Sequence, residues 1–158
     1  MKSIHIRRFA AAFALCAAVL GGVAARPAHA APAQFLGTWV NTDSGTGGIV
    51  RLQITAGVHG MGVRAFGACT PSDCDWGVVG LTTYGNTVAD ADHKYGTALY
   101  SHGFATRLMT LQLIDSSTVV AHVYTTFHDN SGRQNYHSRE VFKKVVIRPL
   151  PFPLAIAR

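Results

Sequence analysis

Charged side chains are scarce in this sequence, at 14% of 158 residues, and tryptophan occurs only twice. No stretch shows a helical period of 3.6 residues, which argues against helix bundles and against folds that alternate strands with helices. No glycine-rich loop precedes a helix, so the sequence has no phosphate-binding nucleotide motif. After residue 30 there is also no apolar run long enough to span a membrane as a helix. These absences leave a chain of short strands and turns.

Cysteine is also rare, with three residues in the whole chain. Cys16 lies in a predicted signal peptide, which leaves Cys69 and Cys74 separated by a Pro71-Ser72 turn. In an oxidising compartment two such neighbours can pair, and we predict a disulfide that closes this loop. Metal binding by two thiolates is the alternative, but no second cysteine pair is present to complete a zinc site.

The first 30 residues have the features of an export signal. Lys2, Arg7 and Arg8 form a basic start, an apolar stretch covers residues 9–25, and small residues precede a predicted cleavage after Ala30. A membrane anchor is the competing interpretation, but the apolar stretch is short and two glycines interrupt it. We therefore predict an exported protein, periplasmic or secreted, with no membrane span.

The positive charge of the chain comes largely from this signal. Four of the 14 Lys and Arg residues lie in residues 1–30, whereas all 8 Asp and Glu lie later, so the remainder carries ten positive against eight negative side chains, a net +2. A balance this close to neutral does not predict a nucleic-acid partner.

Residues 31–147 are predicted to form one all-β domain. About eight short apolar-polar stretches follow one another, joined by turns rich in Gly, Asn, Asp and Ser. Strands in this order favour a single antiparallel up-and-down barrel, which removes sheet edges; a two-sheet β-sandwich is the alternative. A barrel of about eight strands has room inside for side chains or for one small ligand.

Two of the predicted strands show the alternation well. The stretch from Thr118 to His128 is rich in β-branched residues. It places Val119, Ala121, Val123, Thr125 and Phe127 on one face, and Val120, His122, Tyr124, Thr126 and His128 on the other. In the preceding strand, Arg107 shares a face with Met109, Leu111 and Leu113.

The two ends of the predicted barrel resemble the calycin group, the avidins and lipocalins. Gly37-Thr38-Trp39-Val40-Asn41 is similar to the first strand of bacterial avidins, and the segment from Glu140 to Val145 is similar to their last strand. The resemblance implies a ligand-binding barrel in which Asn41 corresponds to the asparagine that contacts the ureido oxygen of biotin. Avidins also line their pocket with several later tryptophans. This chain has only Trp39 and Trp76, so we predict that biotin does not bind measurably.

From these patterns we predict two groups of functional and structural residues. The candidate ligand-binding residues are Asn41, Tyr100, His122 and Tyr124. The candidate structural residues are Trp39, Trp76 and Arg139. Trp39 is expected to close one end of the barrel, with Arg139 or Lys143 of the last strand stacked on its indole ring.

Catalytic and metal sites are less well supported. His122 and His128 share a strand face but lie six residues apart, roughly 20 Å along an extended strand, so they cannot bind one ion directly. His137 could approach them across a hairpin. The carboxylates lie mostly in turns, where they cap the backbone. We predict no metal site and no cofactor.

The sequence therefore predicts a binding protein more than an enzyme. Its partner is expected to be a small molecule or an extracellular protein, and homo-oligomerisation is left open. One alternative is an exported inhibitor or adhesion module that acts through residues 69–76 and 129–136. Another is a small hydrolase that uses His122 or His128 with Asp129.

The end of the chain, residues 148–158, has three prolines alternating with apolar residues. Proline removes backbone donors, so this tail is not expected to form a central strand. Its apolar residues recur at every second position, and we expect them to pack on the barrel or on a neighbouring subunit. A frayed end is the alternative.

Overall fold

Eight antiparallel strands follow one another along the chain and close into a barrel. In the computed structural model, which describes residues 32–146, each strand pairs with its sequence neighbours, and the first also pairs with the last. The strands are β1 (Gly37–Asn41), β2 (Ile49–Gly57), β3 (Gly60–Gly67), β4 (Cys74–Tyr84), β5 (Tyr95–His102), β6 (Ala105–Asp115), β7 (Thr118–Phe127) and β8 (Tyr136–Lys144). The predicted up-and-down barrel is confirmed, and closure excludes the sandwich.

The predicted signal peptide and the proline-containing tail lie outside the described residues. One short 3-10 helix, Ala33–Phe35, precedes β1. Within residues 32–146, no helix is long and apolar enough to cross a membrane.

The interior of the barrel is filled by alternate residues of each strand. In β7, Val119, Ala121, Val123 and Thr125 are at most 2% exposed, whereas Tyr124 between them is 48% exposed. This is the period of two expected of a strand with one buried face. The face of β7 that begins with Val119 in the sequence pattern is therefore the one that points into the barrel.

The face of β2 differs from the simple alternation. The sequence pattern groups Val50 with Leu52 and Ile54, but Ile49 is the residue buried beside them, and Val50 is only half-buried. The cause is a register shift in the β2–β3 ladder between Ile49 and Arg51. A bulge adds one residue to a strand, so every position before it moves to the opposite face.

One end of the barrel is closed by Phe35 and Trp39, both fully buried. The Trp39 indole Nε1 donates a hydrogen bond to the Phe35 carbonyl oxygen at 2.8 Å, which ties the 3-10 helix to β1. The cation that covers the ring is Lys144, whose Nζ lies 4.8 Å from the ring centroid.

Trp39 and Lys144 are paired across β1 and β8. The expectation of Arg139 or Lys143 at this position is therefore wrong. Arg139 is an exposed residue of β8, and the Lys143 ammonium donates to the Thr118 hydroxyl on the neighbouring strand.

The predicted disulfide between Cys69 and Cys74 is present, with the two Cα atoms 5.4 Å apart. It closes the connection between β3 and β4. This connection forms part of the rim at the other end of the barrel, where β1, β3, β5 and β7 end and the even-numbered strands begin. We call this end the mouth.

Removing the disulfide should destabilise the protein modestly, because the bridge closes only a short loop. Replacing both Cys69 and Cys74 by serine is expected to lower the free energy of unfolding by roughly 2 kcal/mol on the loop-entropy scale. Urea unfolding of wild type and variant, each with and without reductant, measures the effect. The prediction would be contradicted if the variant had the same urea midpoint as wild type, or if reductant lowered the midpoint of the variant as much as that of wild type.

Candidate functional site

A cavity of about 390 Å³ opens at the mouth of the barrel. Its wall combines the disulfide connection and the connection between β1 and β2 with residues of β4 to β8. The residues that give it chemical character are Trp76, His102, Phe104, Arg107, Tyr136 and Ser138. A cavity of this size, with aromatic walls and few polar groups, is typical of small-molecule sites.

The aromatic part of the wall arises from the alternation of β5. Tyr100 and His102 are two residues apart and therefore face inward together, with their rings parallel and 6.3 Å between centroids. Trp76 meets both rings edge-on, at 5.6 Å from Tyr100 and 6.2 Å from His102. Each ring is thus held in place by its neighbours.

Gly67 makes this position of Trp76 possible. A Cβ atom at Gly67 would lie 2.7 Å from the Trp76 indole nitrogen, closer than real Cβ contacts allow. The indole therefore lies directly against the backbone of β3.

Arg107 is the cationic residue of the cavity wall, which also includes the carboxylate of Asp75. Its guanidinium carbon lies 4.6 Å from the centroid of the Trp76 ring and 5.2 Å from that of Phe104. Its Nη1 lies 3.1 Å from Nδ1 of His102. Because arginine only donates hydrogen bonds, Nδ1 of His102 must be the acceptor and the ring proton must lie on Nε2.

Two buried polar atoms on neighbouring strands have no hydrogen-bond partner among the described residues. They are Nε of Arg107 and the hydroxyl oxygen of Thr125, and the two residues are directly paired across β6 and β7. A buried donor without an acceptor is uncommon and carries a cost of about 1–3 kcal/mol.

Tyr100 lies below the cavity instead of lining it. The residue is 1% exposed, and its hydroxyl donates to the Val63 carbonyl oxygen at 2.8 Å. Burial raises the pKa of the Tyr100 phenol well above its usual range, so the hydroxyl remains a donor. Tyr100 supports Trp76 from below.

Asn41 lies near the mouth, but its side chain is engaged by the protein itself. The amide nitrogen donates to the Ile49 carbonyl and to Oε2 of Glu140, both at 2.7 Å. The amide oxygen accepts the backbone N–H of Asp43 at 2.9 Å. Glu140 is 8% exposed and also accepts a hydrogen bond from Thr46 at 3.3 Å. Asn41 thus holds a buried carboxylate.

His122 and Tyr124, the other two candidates from the sequence, lie on the outer face of β7. His122 Nδ1 is 2.9 Å from Nε2 of His137, and the Tyr124 ring packs on His137 at 4.9 Å. Neither lines the mouth cavity. The structure therefore brings Trp76 to the cavity and Asn41 close to the mouth, and it places His122 and Tyr124 elsewhere.

The residues considered for hydrolysis are each paired with other partners. His128 Nε2 is 3.0 Å from the Thr106 hydroxyl, and Asp129 forms an ion pair with Arg133. Within residues 32–146, no group of three or more His, Cys, Asp or Glu side chains is arranged to hold a metal ion.

A second cleft of about 520 Å³ lies beside the connection between β4 and β5. Its polar groups already have partners. The Asp90 carboxylate accepts the backbone N–H groups of Asn86 and Asp92, both at 2.8 Å, and His93 Nδ1 is 2.9 Å from the Thr83 hydroxyl. The mouth cavity is therefore the better candidate site.

The sequence contained one signal for Arg107 that site prediction passed over. Arg107 begins the face of β6 that continues with Met109, Leu111 and Leu113, all three buried. A single arginine on an apolar face predicts a charge that points into the barrel. His102 carried no comparable signal.

Asp75, at the rim of the mouth, should contribute to the acid sensitivity of the protein. Hydrogen bonds from the Arg64 guanidinium and from the Gly77 backbone lower the pKa of the Asp75 carboxyl to about 2. Because the unfolded value is about 3.9, the stabilisation is present above that pH and is lost as the pH falls towards 2. Asp75 is exposed, so the effect is expected to be small.

Acid unfolding of wild type and Asp75→Asn, followed by circular dichroism, tests this contribution. The two proteins should differ at neutral pH and converge near pH 2, because only the wild-type carboxyl loses its partners there. A constant difference between pH 5 and pH 2 would contradict the assignment.

Comparison with known proteins adds no relative: no protein-family model matches the chain, and no curated protein matches it. The function is therefore inferred from the geometry of the mouth.

Proposed function

We propose that this chain is an exported binding protein that holds one small molecule in the mouth of a calycin-like barrel. The observation that carries the proposal is the mouth cavity itself, which has aromatic walls around an arginine whose Nε lacks a protein acceptor. A rigid, mostly apolar cavity with a few unsatisfied polar groups is the arrangement that ligand sites share.

The rest of the barrel supports this use of the mouth. Phe35 and Trp39 fill the opposite end, so a ligand would enter from one side. The loops considered as interaction surfaces from the sequence also contribute to the mouth, because Cys69, Cys74 and Tyr136 line the cavity. A disulfide in this rim agrees with an oxidising compartment outside the cytoplasm.

Native mass spectrometry of protein purified from its own host tests the proposal. We expect a retained small molecule, one per chain. Gly67→Ala should abolish this retention, because the added Cβ must push the Trp76 indole off the backbone of β3 and towards the cavity.

Gly80→Ala is the matched control, since a Cβ at that strand glycine meets no atom within 4 Å. It should retain the molecule as wild type does. The proposal would be contradicted if wild-type protein retained nothing and showed no rise in melting temperature with a low-mass extract of the host. Equal retention by Gly67→Ala would also contradict it.

A further inference from the structure

We infer that the mouth cavity selects ligands that carry a carboxylate on a flat ring, and that Arg107 binds this carboxylate. The inference rests on the proposed function and names the chemical class of its ligand. It follows from which atoms of the guanidinium are already used and which are not.

A guanidinium group presents two edges to an acceptor, and the protein uses only part of one. Nη1 of Arg107 is occupied by Nδ1 of His102. Nε and Nη2, which together form the side edge, make no hydrogen bond to any residue in the range 32–146. Two parallel N–H donors at one edge match the two oxygens of a carboxylate.

The same chain contains this pairing at another position. At the rim of the mouth, the exposed Arg64 binds the Asp75 carboxylate through its Nε, at 3.0 and 3.1 Å from the two oxygens, and through Nη2. In Arg107 the same edge is unpaired among the described residues: Nε is buried without a partner, Nη2 makes no hydrogen bond, and no carboxylate forms an ion pair with it. A ligand would supply the missing partner.

The acidic groups nearest the mouth do not fill this role, because each is held by another residue. The Asp75 carboxylate is paired with Arg64, and Glu140 accepts from Asn41 and Thr46. A second cation is near the mouth: the guanidinium carbon of Arg133 lies 5.3 Å from the centroid of the Phe104 ring. The positive charge of Arg107 is thus unneutralised in a partly enclosed site, where pairing with an anion is strongest.

The expectation that the ligand carries a flat ring follows from the aromatic surfaces next to Arg107. Its guanidinium lies over Trp76 and close to Phe104, so a carboxylate bound at its edge would have aromatic surface next to it. A planar ring attached to the carboxylate can pack on these surfaces with favourable stacking.

The matched probes 2-naphthoate and 2-naphthamide test the inference, because they share a shape and differ in charge. Calorimetry should show that wild type binds 2-naphthoate roughly tenfold to a hundredfold more tightly than 2-naphthamide. This is the range expected for hydrogen bonds between charged groups. Arg107→Gln should abolish this preference. Arg107→Lys, which keeps the charge but loses the two-donor edge, should retain only part of it. Arg139→Gln, at an exposed position of β8 that does not line the cavity, is the control and should keep the wild-type preference.

A second measurement does not depend on how well the variants fold. In ¹⁵N-labelled wild type, the Nε–H resonance of Arg107 should shift on addition of naphthoate and remain in place with naphthamide. Equal affinity for both probes would overturn the inference, as would no binding of either at millimolar concentration. The proposed function would still be judged separately, by the molecule retained from the host.

Discussion

Replacing Trp39 by alanine should lower the free energy of unfolding by about 3 to 5 kcal/mol, the range measured for large aromatic residues in cores. The side chain is fully buried at the closed end of the barrel. Its loss removes the plug beneath the 3-10 helix and leaves the Phe35 carbonyl without its donor. Urea unfolding followed by far-UV circular dichroism measures the change.

Two further variants separate the contribution of the Trp39 ring to stability from that of the cation above it. Lys144→Met removes the charge that lies over the indole and the hydrogen bond from Nζ to the Gln34 carbonyl. It should cost much less than Trp39→Ala, about 0.5–2 kcal/mol, because a cation–π contact is weaker than the burial of an indole. Arg139→Met, at the exposed position expected from the sequence, should have little effect. A loss below about 1 kcal/mol for Trp39→Ala would contradict its role as the plug.

Replacing Asn41 by leucine should cost about 1.5–3 kcal/mol, because it deprives a buried carboxylate of its main donor. Leucine has a similar size but cannot donate to Glu140 or to the Ile49 carbonyl. Glu140 has little room to turn towards solvent, since it is 8% exposed and its Oε1 lies directly against Gly48. The free energy of unfolding from urea titrations gives the result.

A double-mutant cycle identifies the source of this cost. Adding Glu140→Met to Asn41→Leu removes the stranded carboxylate and should recover part of the lost stability, since replacing both partners by apolar groups avoids an unpaired buried charge. If the two substitutions were simply additive, the contact between Asn41 and Glu140 would not be the cause.

Together these predictions divide the barrel into two ends with different roles. Trp39 should matter for stability and leave the ligand unaffected, because it lies at the closed end. Arg107 should matter for the ligand more than for stability: its replacement loses the contacts with His102 and Trp76 but also removes a buried Nε that has no protein partner among the described residues. Replacing Asn41 should have a smaller effect on stability than replacing Trp39.

The sequence by itself determined the features that depend on neighbouring residues. Alternation with a period of two is a local property of an extended chain, so the faces of β6 and β7 could be assigned before the fold was known. The two cysteines, five positions apart, could be paired for the same reason. Eight such strands in succession were enough to predict an up-and-down barrel.

The tertiary structure decided what depends on closure and register. Alternation separates the two faces of a strand but does not say which face turns inward. The sequence therefore grouped His122 with Tyr124 on one face, and only the structure shows that this face lies outside the barrel. The bulge in β2 exchanged Val50 for Ile49 because an extra residue in a ladder cannot be counted from the pattern alone.

Register across the closing pair of strands decided which cation covers Trp39, and side-chain contacts within the barrel decided the role of Arg107. Trp39 contacts Lys144 because the pairing of β1 with β8 aligns these two residues. The two strands lie more than 90 positions apart along the chain. Arg107 becomes a candidate ligand residue because the structure gives Nη1 a histidine and leaves Nε with no acceptor. The pairing of Trp39 with Lys144 arises only when distant strands close on each other, and a local sequence pattern contains no measure of that distance.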